Sequence, residues 1–123
     1  MSAPVVYFDI AGPDLERQAA FYSSVFGWEI GPDPNCPEQA RAIQPVPVTS
    51  PLRGSLRKDP AEHLIYLGVT DITATLAKIE AHGGAAASPR IEVPGVVVLA
   101  LFTDPAGNRM GLIEMGGDQK KVP

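Results

Sequence analysis

The second half of the amino-acid sequence repeats the pattern of the first half, and this repeat limits the possible folds more tightly than any local motif. With an offset of 57 positions, Asp14 aligns with Asp71 and Gly54 aligns with Gly111. Each half is typical of a β-strand followed by a helix and then by several short strands. The duplication therefore predicts two similar sheet halves with a binding site between them.

Length and charge narrow the class of protein. At 123 residues the chain has room for one domain with one hydrophobic core. A net charge of −4 gives no electrostatic basis for binding nucleic acid or an anionic membrane. The sequence shows neither a signal peptide nor an apolar run long enough to span a bilayer, so we expect a cytoplasmic protein. Cys36 is the single cysteine, which excludes an intrachain disulfide and a thiolate zinc cluster.

The first repeat, about residues 4–58, contains one amphipathic helix. Asp14 is suited to cap the start of this helix and Gly27 to end it. Between them, Leu15, Ala19, Tyr22 and Phe26 recur at helical spacing and predict one buried stripe. The β-rich runs of this repeat predict strands at Val5–Ile10, Trp28–Ile30, Ala40–Val46 and Gly54–Arg57.

The second repeat, about residues 62–115, follows the same order. Asp71 caps a predicted helix that buries Ile72, Leu76 and Ile79 and ends at His82. Residues 116–123 are polar and are predicted to form a frayed tail. Strands are predicted at His63–Val69, Ala86–Ile91, Gly95–Thr103 and Asn108–Glu114.

The chain resembles the vicinal oxygen chelate superfamily, which includes glyoxalase I, the bleomycin- and fosfomycin-resistance proteins and the extradiol dioxygenases. The resemblance rests on Asp14–Ile30, Tyr66–Gly84 and Phe102–Glu114. It implies an α+β fold in which two tandem βαβββ modules form curved, mostly antiparallel sheets around a concave cavity. It also implies a homodimer, which the exposed edges of many short strands independently favour.

The resemblance also implies four metal-ligand positions on the concave face, at Tyr7, Gly54, Leu64 and Gly111. None of these residues is a usual ligand of a divalent metal, so we expect neither a metal nor another cofactor. A slip of one residue would bring His63 to the position of Leu64, but it would also exchange the two faces of the strand. His63 is therefore predicted to be a residue of the strand start.

Alternation along the first strand predicts that Tyr7 and Asp9 face the concavity. An acid in a β-rich run needs water, a partner or a ligand, and Asp9 could also accept a proton from a substrate. Arg109 shares a strand face with Gly111 and could bind an anionic group or form an ion pair with Asp9. The predicted ligand-binding residues are Tyr7, Asp9, Trp28, Gly54, Leu64, Tyr66, Arg109 and Gly111.

Three functions are compatible with this pattern. The favoured one is binding of a small organic molecule in the concavity without a metal, with the glycines leaving space for the ligand. The first alternative is a metal-independent lyase or isomerase in which Asp9 is the general base. The second is a metal-dependent lyase or dioxygenase whose ligands lie at other positions. No phosphate-binding loop, catalytic triad or metalloprotease motif is present in the sequence.

Overall fold

The computed structural model describes residues 2–44 and 52–123. Among these residues, neither helix is long and apolar enough to cross a membrane. The elements in chain order are β1 (Val5–Gly12), α1 (Leu15–Phe26), β2 (Glu29–Pro32), β3 (Ala40–Gln44), β4 (Arg53–Lys58), β5 (Glu62–Val69), α2 (Ile72–Ala81), β6 (Ala85–Ala86), β7 (Ile91–Val93), β8 (Val97–Thr103), β9 (Arg109–Gly116) and β10 (Gln119–Lys120).

The chain divides into two compact units. Unit N spans Tyr7–Leu64, and unit C comprises Met1–Val6 and Ile65–Pro123. The strands of unit N follow the order β2-β3-β4-β1, in which β1 is parallel to β4 and the other neighbours are antiparallel. The predicted strand over Ala40–Val46 is described as far as Gln44, and its last two residues lie outside the described residues.

The ends of α1 confirm the helix predicted in the first repeat. The Asp14 carboxylate accepts a hydrogen bond from the backbone N–H of Arg17 at 3.1 Å. Gly27 ends the helix with φ of 69°, and its N–H bonds the carbonyl of Ser23. Both ends of the helix are marked by local signals. A side chain that accepts a backbone hydrogen bond marks the start, and a glycine that tolerates positive φ marks the end. These signals explain why the sequence pattern located this helix.

The core of unit N lies between α1 and the sheet. Leu15, Ile43 and Leu56 are buried there. Phe26 was predicted to extend the buried stripe of α1, and this prediction is wrong because Phe26 is 58% exposed. It is the last helical residue, and its ring packs on Tyr22 rather than on the three core residues. Partly buried apolar residues complete this core: Phe8, Ile10, Ala19, Tyr22, Trp28 and Ile30.

Unit C has a helix and sheet of the same kind. The Asp71 carboxylate accepts from the N–H of Ala74 at 3.0 Å and caps α2 as predicted. The strand order is β5-β9-β8-β6, with β10 added on β9 and β7 added on β8. The strand β5 is parallel to β9, whereas β8 is antiparallel to β9. The core consists of buried Ile72, Val98, Ala100, Phe102 and Leu112, against which Leu76 and Ile79 pack.

One strand prediction in unit C needs correction. The single strand predicted over Ala86–Ile91 is instead two short strands, β6 and β7, which both pair with β8. Between them Pro89 has no N–H to donate to a ladder. The hydroxyl of Ser88 accepts from the N–H of Leu101 at 2.8 Å, so this break in the ladder is bridged by a side chain.

The C-terminal tail is also more ordered than the predicted frayed segment. Gln119 pairs with Gly116, and Lys120 pairs with Met115. Gly117 allows the tight turn between the two strands because its φ is 70°. The carbonyl of Glu114 accepts from the N–H of Lys121 at 2.9 Å, which extends the hairpin.

Candidate functional site

Four polar side chains of unit N, Tyr7, Asp9, Ser55 and Arg57, are grouped on one sheet face, and we call this group the polar face. Arg53 shares that sheet face at the exposed start of β4. The parallel register of β1 and β4 places Asp9 opposite Ser55. Side chains alternate along both strands, so residues between these four point to the other side, where Leu56 is buried in the core under α1. The helix and its apolar stripe thus leave the polar residues together on the second face.

Asp9 and Arg57 form an ion pair within this face. The Asp9 side chain is 4% exposed, and its Oδ1 lies 3.4 Å from Nη2 of Arg57. The same guanidinium makes shorter contacts, of 2.7 Å to Glu62 and 2.6 Å to Asp59. Burial opposes the charge on Arg57, but the hydrogen bond to Glu62 and the attraction of Asp9 and Asp59 raise its pKa overall. One guanidinium is therefore shared by three carboxylates, and Asp9 makes the longest of the three contacts.

The Nε of Arg57 is buried and makes no hydrogen bond with the described residues. A buried donor without an acceptor costs about 1–3 kcal/mol. The Arg57 side chain is thus held at its two Nη atoms, whereas its Nε lacks an acceptor in the part of the chain that the structure describes.

Tyr7 and Ser55 interact through their hydroxyl groups on the polar face. Burial raises the pKa of Tyr7, the hydrogen bond with Ser55 partly offsets this, and the charges of Asp33 and Asp9 raise the pKa further. The phenol is consequently neutral at physiological pH and can donate or accept a hydrogen bond. The polar face thus offers a phenol, a hydroxyl, a carboxylate and a guanidinium.

Small residues of β3 flank these polar groups. Ala42 pairs with Ser55 and Ala40 pairs with Arg57, so both alanines share their partners' face. Neither alanine has a side chain longer than a methyl group. On this face, β3 therefore projects only methyl groups beside the polar side chains, and these two positions add no charge.

The register of β4 corrects the predicted position of Gly54. Asp9 and Tyr66 are equivalent under the repeat, and their strand partners are Ser55 and Gly111. The equivalent of Gly111 is therefore Ser55, because the offset in the last strand is one position shorter than in the first strand. Gly54 lies on the opposite face from Tyr7, and the prediction that it opens space there is wrong.

Gly54 has a packing role. It pairs with Phe8, and a Cβ atom at this position would overlap the Phe8 ring. A glycine here lets the aromatic ring lie flat against the neighbouring strand within the core of unit N. Trp28 belongs to the same core, where its ring lies 6.0 Å from that of Phe8 and stacks on Tyr22 at 5.1 Å.

The corresponding face of unit C is mostly apolar. Tyr66 is buried and pairs with Gly111, where a Cβ atom would overlap the tyrosine ring. Arg109 lies two residues earlier on the same strand face and pairs with Thr103 at the strand end. The same face carries aliphatic side chains on β8 and β9, namely Leu99, Leu101 and Ile113.

The predicted site residues thus fall into two sets. Tyr7 and Asp9 meet on the polar face of unit N, and Tyr66, Gly111 and Arg109 share one face of unit C. That the two sets line one cavity stays a prediction. Trp28 packs in the core, and Leu64 is buried at the end of unit N.

Sequence reasoning missed Ser55 and Arg57. They lie two residues apart on β4, so the alternation of side chains would have placed them on one face. The signal was hidden because the repeat offset of 57 selected Gly54 instead of its neighbour. The ion pair between Asp9 and Arg57 joins residues far apart in the chain, which no local pattern reports.

The residues at the family's metal positions do not fit a metal site. After the register correction these positions are Tyr7, Ser55, Leu64 and Gly111. A neutral phenol, a neutral hydroxyl, an alkyl group and a hydrogen atom offer none of the usual donor set of imidazole, carboxylate or thiolate. Within residues 2–44 and 52–123, no group of three or more His, Cys, Asp or Glu residues is placed to hold a metal ion.

Comparison with known proteins identifies the family. The model of the glyoxalase-like domain matches residues 5–113. The chain belongs to the glyoxalase-like domain family. This membership confirms the vicinal oxygen chelate superfamily that the sequence resembled.

Two curated relatives of this glyoxalase-like chain come from Streptomyces. The anthracycline biosynthesis protein DnrV of Streptomyces peucetius is 26% identical over 139 aligned residues, which cover 95% of this chain and 50% of that protein. The anthracycline biosynthesis protein DauV of Streptomyces sp. (strain C5) is 25% identical with the same coverage. The glyoxalase-like chain therefore spans about half the length of these relatives.

Solved structures confirm the predicted fold class. A Streptomyces coelicolor methylmalonyl-CoA epimerase variant in complex with 2-nitronate-propionyl-CoA aligns with a TM-score of 0.66 and 17% identity, covering 98% of this chain and 99% of that chain. The Mn(II)-bound glyoxalase from Novosphingobium aromaticivorans aligns with a TM-score of 0.65 and 20% identity, covering 99% of this chain and 44% of that chain. At these identities the likeness shows the fold alone.

Proposed function

We propose that this glyoxalase-like chain binds a small organic molecule against the polar face of unit N, without a metal ion. The observation that carries the proposal is the buried Asp9 carboxylate, which shares Arg57 with two other acids. Burying a carboxylate costs free energy unless its partners compensate, and binding sites are where proteins retain such groups. Tyr7 and Ser55 add hydrogen-bonding groups, and the low alanine surface of β3 leaves room for a ligand beside them.

The charge of the polar face favours a neutral or cationic ligand. Three carboxylates surround the guanidinium of Arg57, so the potential around Asp9 is unfavourable to phosphate groups, whereas Arg53 lies farther along the face at the exposed start of β4. An acyl-CoA, the kind of molecule bound by the epimerase relatives, carries several phosphates. An anthracycline, the kind of molecule after whose biosynthesis the curated relatives are named, has a fused aromatic ring system and no phosphate. We therefore propose a polycyclic aromatic molecule as the ligand class.

A second candidate function is proton transfer at carbon, in which Asp9 is the general base. The close placement of Asp9, Tyr7 and Arg57 on one face favours it. Asp9 would take the proton from a carbon beside a carbonyl group, and the electron pair of the broken C–H bond would move to the carbonyl oxygen. Tyr7 or Arg57 would stabilise the resulting enolate, and return of the proton would complete an isomerisation.

Calorimetric titration tests the binding proposal. An anthracycline and methylmalonyl-CoA are titrated into the wild type and into Tyr7→Phe and Asp9→Asn variants. We expect micromolar binding of the anthracycline, weakened about tenfold by either substitution through loss of one hydrogen bond to the ligand. Glu16→Gln is the matched control because it removes one exposed carboxylate on α1, which covers the opposite face of the sheet. Equal affinities in all four proteins would contradict the proposal.

Deuterium exchange separates the binder from the enzyme. Each bound compound that has an acidic C–H is incubated in D₂O with wild type or Asp9→Asn, and loss of its proton signal is followed by NMR. Exchange that requires Asp9 supports the isomerase. Binding without exchange in the wild type supports a binding protein. Elemental analysis of the purified chain tests the metal-dependent alternative, for which one bound metal per chain is the expected result.

The homodimer remains a proposal as well. Short strands leave unpaired edges that a second copy could cover. Sedimentation velocity at several concentrations tests it. A species of twice the chain mass of 13.0 kDa supports the dimer, and a single 13.0 kDa species at all concentrations contradicts it.

A further inference from the structure

A cleft of about 390 Å³ lies beside α1 in unit N, and none of the residues of the polar face lines it. Its walls come from the end of β1, the middle of α1, the turn after β4 and the start of β5. Clefts of 300–1,000 Å³ are the usual size for small-molecule sites. Its six lining residues are Ile10, Ala11, Tyr22, Ala61, Glu62 and His63.

Most of the cleft wall is apolar and rigid. Ile10 and Tyr22 are both packed against the core of unit N, which restricts their rotamers. The Tyr22 ring also stacks on Trp28, with the two ring planes within 11° of each other. An aromatic side chain held in this way offers a preformed surface to an apolar or aromatic ligand.

The formal charge of the cleft, with His63 counted as neutral, is negative. Among its six lining residues, all of them described, Glu62 has a carboxylate and none is Lys or Arg. The Glu62 side chain is 30% exposed, and Arg57 holds its Oε1 at 2.7 Å. Because Arg57 also binds Asp59 and Asp9, it is shared among three acids. The cleft therefore attracts a cation more than an anion.

We propose that this cleft is a second binding site, specific for a small arylalkylamine. The ring would lie between Ile10 and Tyr22, and the ammonium group would bind the carboxylate of Glu62. A cation near an aromatic ring gains further from the ring quadrupole of Tyr22. This proposal does not rest on the function proposed for the polar face, although Arg57 joins Glu62 to that face.

Three indole compounds of nearly equal size test the charge requirement. Tryptamine is a cation, indole-3-ethanol is neutral and indole-3-acetate is an anion. We expect calorimetry to rank tryptamine first and indole-3-acetate last. Replacement of Glu62 by Gln should weaken tryptamine binding about tenfold, as expected for loss of a charge-assisted hydrogen bond. The affinity for indole-3-ethanol should change by less than about twofold.

Two further variants keep the test decisive. Asp118→Asn removes an exposed acid that neither lines the cleft nor is one of the three acids on Arg57, so tryptamine affinity should stay within about twofold. Ala61→Trp fills the cleft from an exposed turn, so it should abolish binding while the melting temperature stays unchanged. Equal binding of all three indoles, or tryptamine binding that survives both Glu62→Gln and Ala61→Trp, would overturn the proposal.

Discussion

Glu114 in unit C and Asp9 in unit N are both buried carboxylates on β-strands, yet their surroundings differ. Glu114 receives two hydrogen bonds from Arg90, at 2.7 and 3.1 Å, and one at 2.9 Å from the N–H of Ile72 at the start of α2. The contact of Asp9 with Arg57 is longer, at 3.4 Å. The two carboxylates are equally buried, whereas their contacts with arginine differ in length.

The two clusters also differ in the balance of charge. Lys121 adds a second cation to Glu114, at 3.3 Å. The pKa of Glu114 is lowered to about 2, mainly by the hydrogen bonds from Arg90. Burial opposes this shift, and the hydrogen bonds from Ile72 and Lys121 add to it. In unit N the ratio is reversed, since one guanidinium serves three carboxylates. The comparison teaches that Glu114 is part of the scaffold, and that burial alone does not identify a functional acid.

The largest expected effect comes from removing the scaffold carboxylate. Glu114→Ala should lower the free energy of unfolding by about 2–3 kcal/mol, because the N–H of Ile72 loses its acceptor and Arg90 loses its buried partner. Urea denaturation measures this loss. Glu92→Ala removes the exposed carboxylate on the same arginine and should change stability by less than about 0.5 kcal/mol. Similar losses for both variants would remove the distinction between the buried and exposed partners.

The pH dependence of stability sharpens the same contrast. The pKa of Glu114 is about 2 in the folded chain against an ordinary value of 4.5. A carboxyl group whose pKa is depressed on folding stabilises the protein above its unfolded pKa, and this contribution is lost as the pH falls through the folded pKa. The difference in melting temperature between the wild type and Glu114→Gln should therefore shrink as the pH falls from about 4.5 to about 2. A constant difference over that range would contradict the assigned role.

Substitution of two strand glycines should have the next largest effect on stability. Gly54→Ala and Gly111→Ala should each cost about 1–3 kcal/mol, because the new methyl group overlaps the rings of Phe8 and Tyr66 respectively. Gly31→Ala is the control, since it is also in a strand but meets no atom within 4 Å. Chemical denaturation provides the measurement.

A double-mutant cycle with Phe8→Leu identifies the cause at Gly54. The penalty of Gly54→Ala should be smaller when the Phe8 ring is absent, because the overlap is then removed. An unchanged penalty would show that the overlap with Phe8 is not the reason for the glycine.

Asp9→Asn should have the smallest effect on stability, less than about 1 kcal/mol. Arg57 keeps Asp59 and Glu62 as partners, so no uncompensated charge is left. The same substitution should nevertheless lower the affinity for the proposed ligand. A stability loss as large as that of Glu114→Ala would assign Asp9 to the scaffold and contradict the comparison.

Local signals in the sequence predicted the helices and most strands. Asp14 and Asp71 cap helices through contacts three residues away, so their effect is visible in any short window. The duplication then led to the fold class. Phe26 shows a limit of this reasoning, because the helical period continues to the last turn, where its ring touches Tyr22 and Trp28 but stays exposed.

The site was harder to predict because it depends on strand register. A shift of one residue between the repeats exchanged Gly54 for Ser55, and with it the predicted face. Arg57 was missed for a related reason, since its contacts with Asp9 and Glu62 come from β1 and β5. Pairing between distant strands is set by packing of the whole sheet and leaves no local sequence signal.

Amide chemical-shift mapping tests the central claim most directly. An anthracycline is titrated into ¹⁵N-labelled protein, and shifts are followed for every assigned amide. The account predicts the largest shifts in β1 and β4, at Tyr7, Asp9, Ser55 and Arg57, and their loss in the Asp9→Asn variant. Saturable shifts confined to other strands, with β1 and β4 unchanged, would contradict the assignment of the polar face as the binding surface.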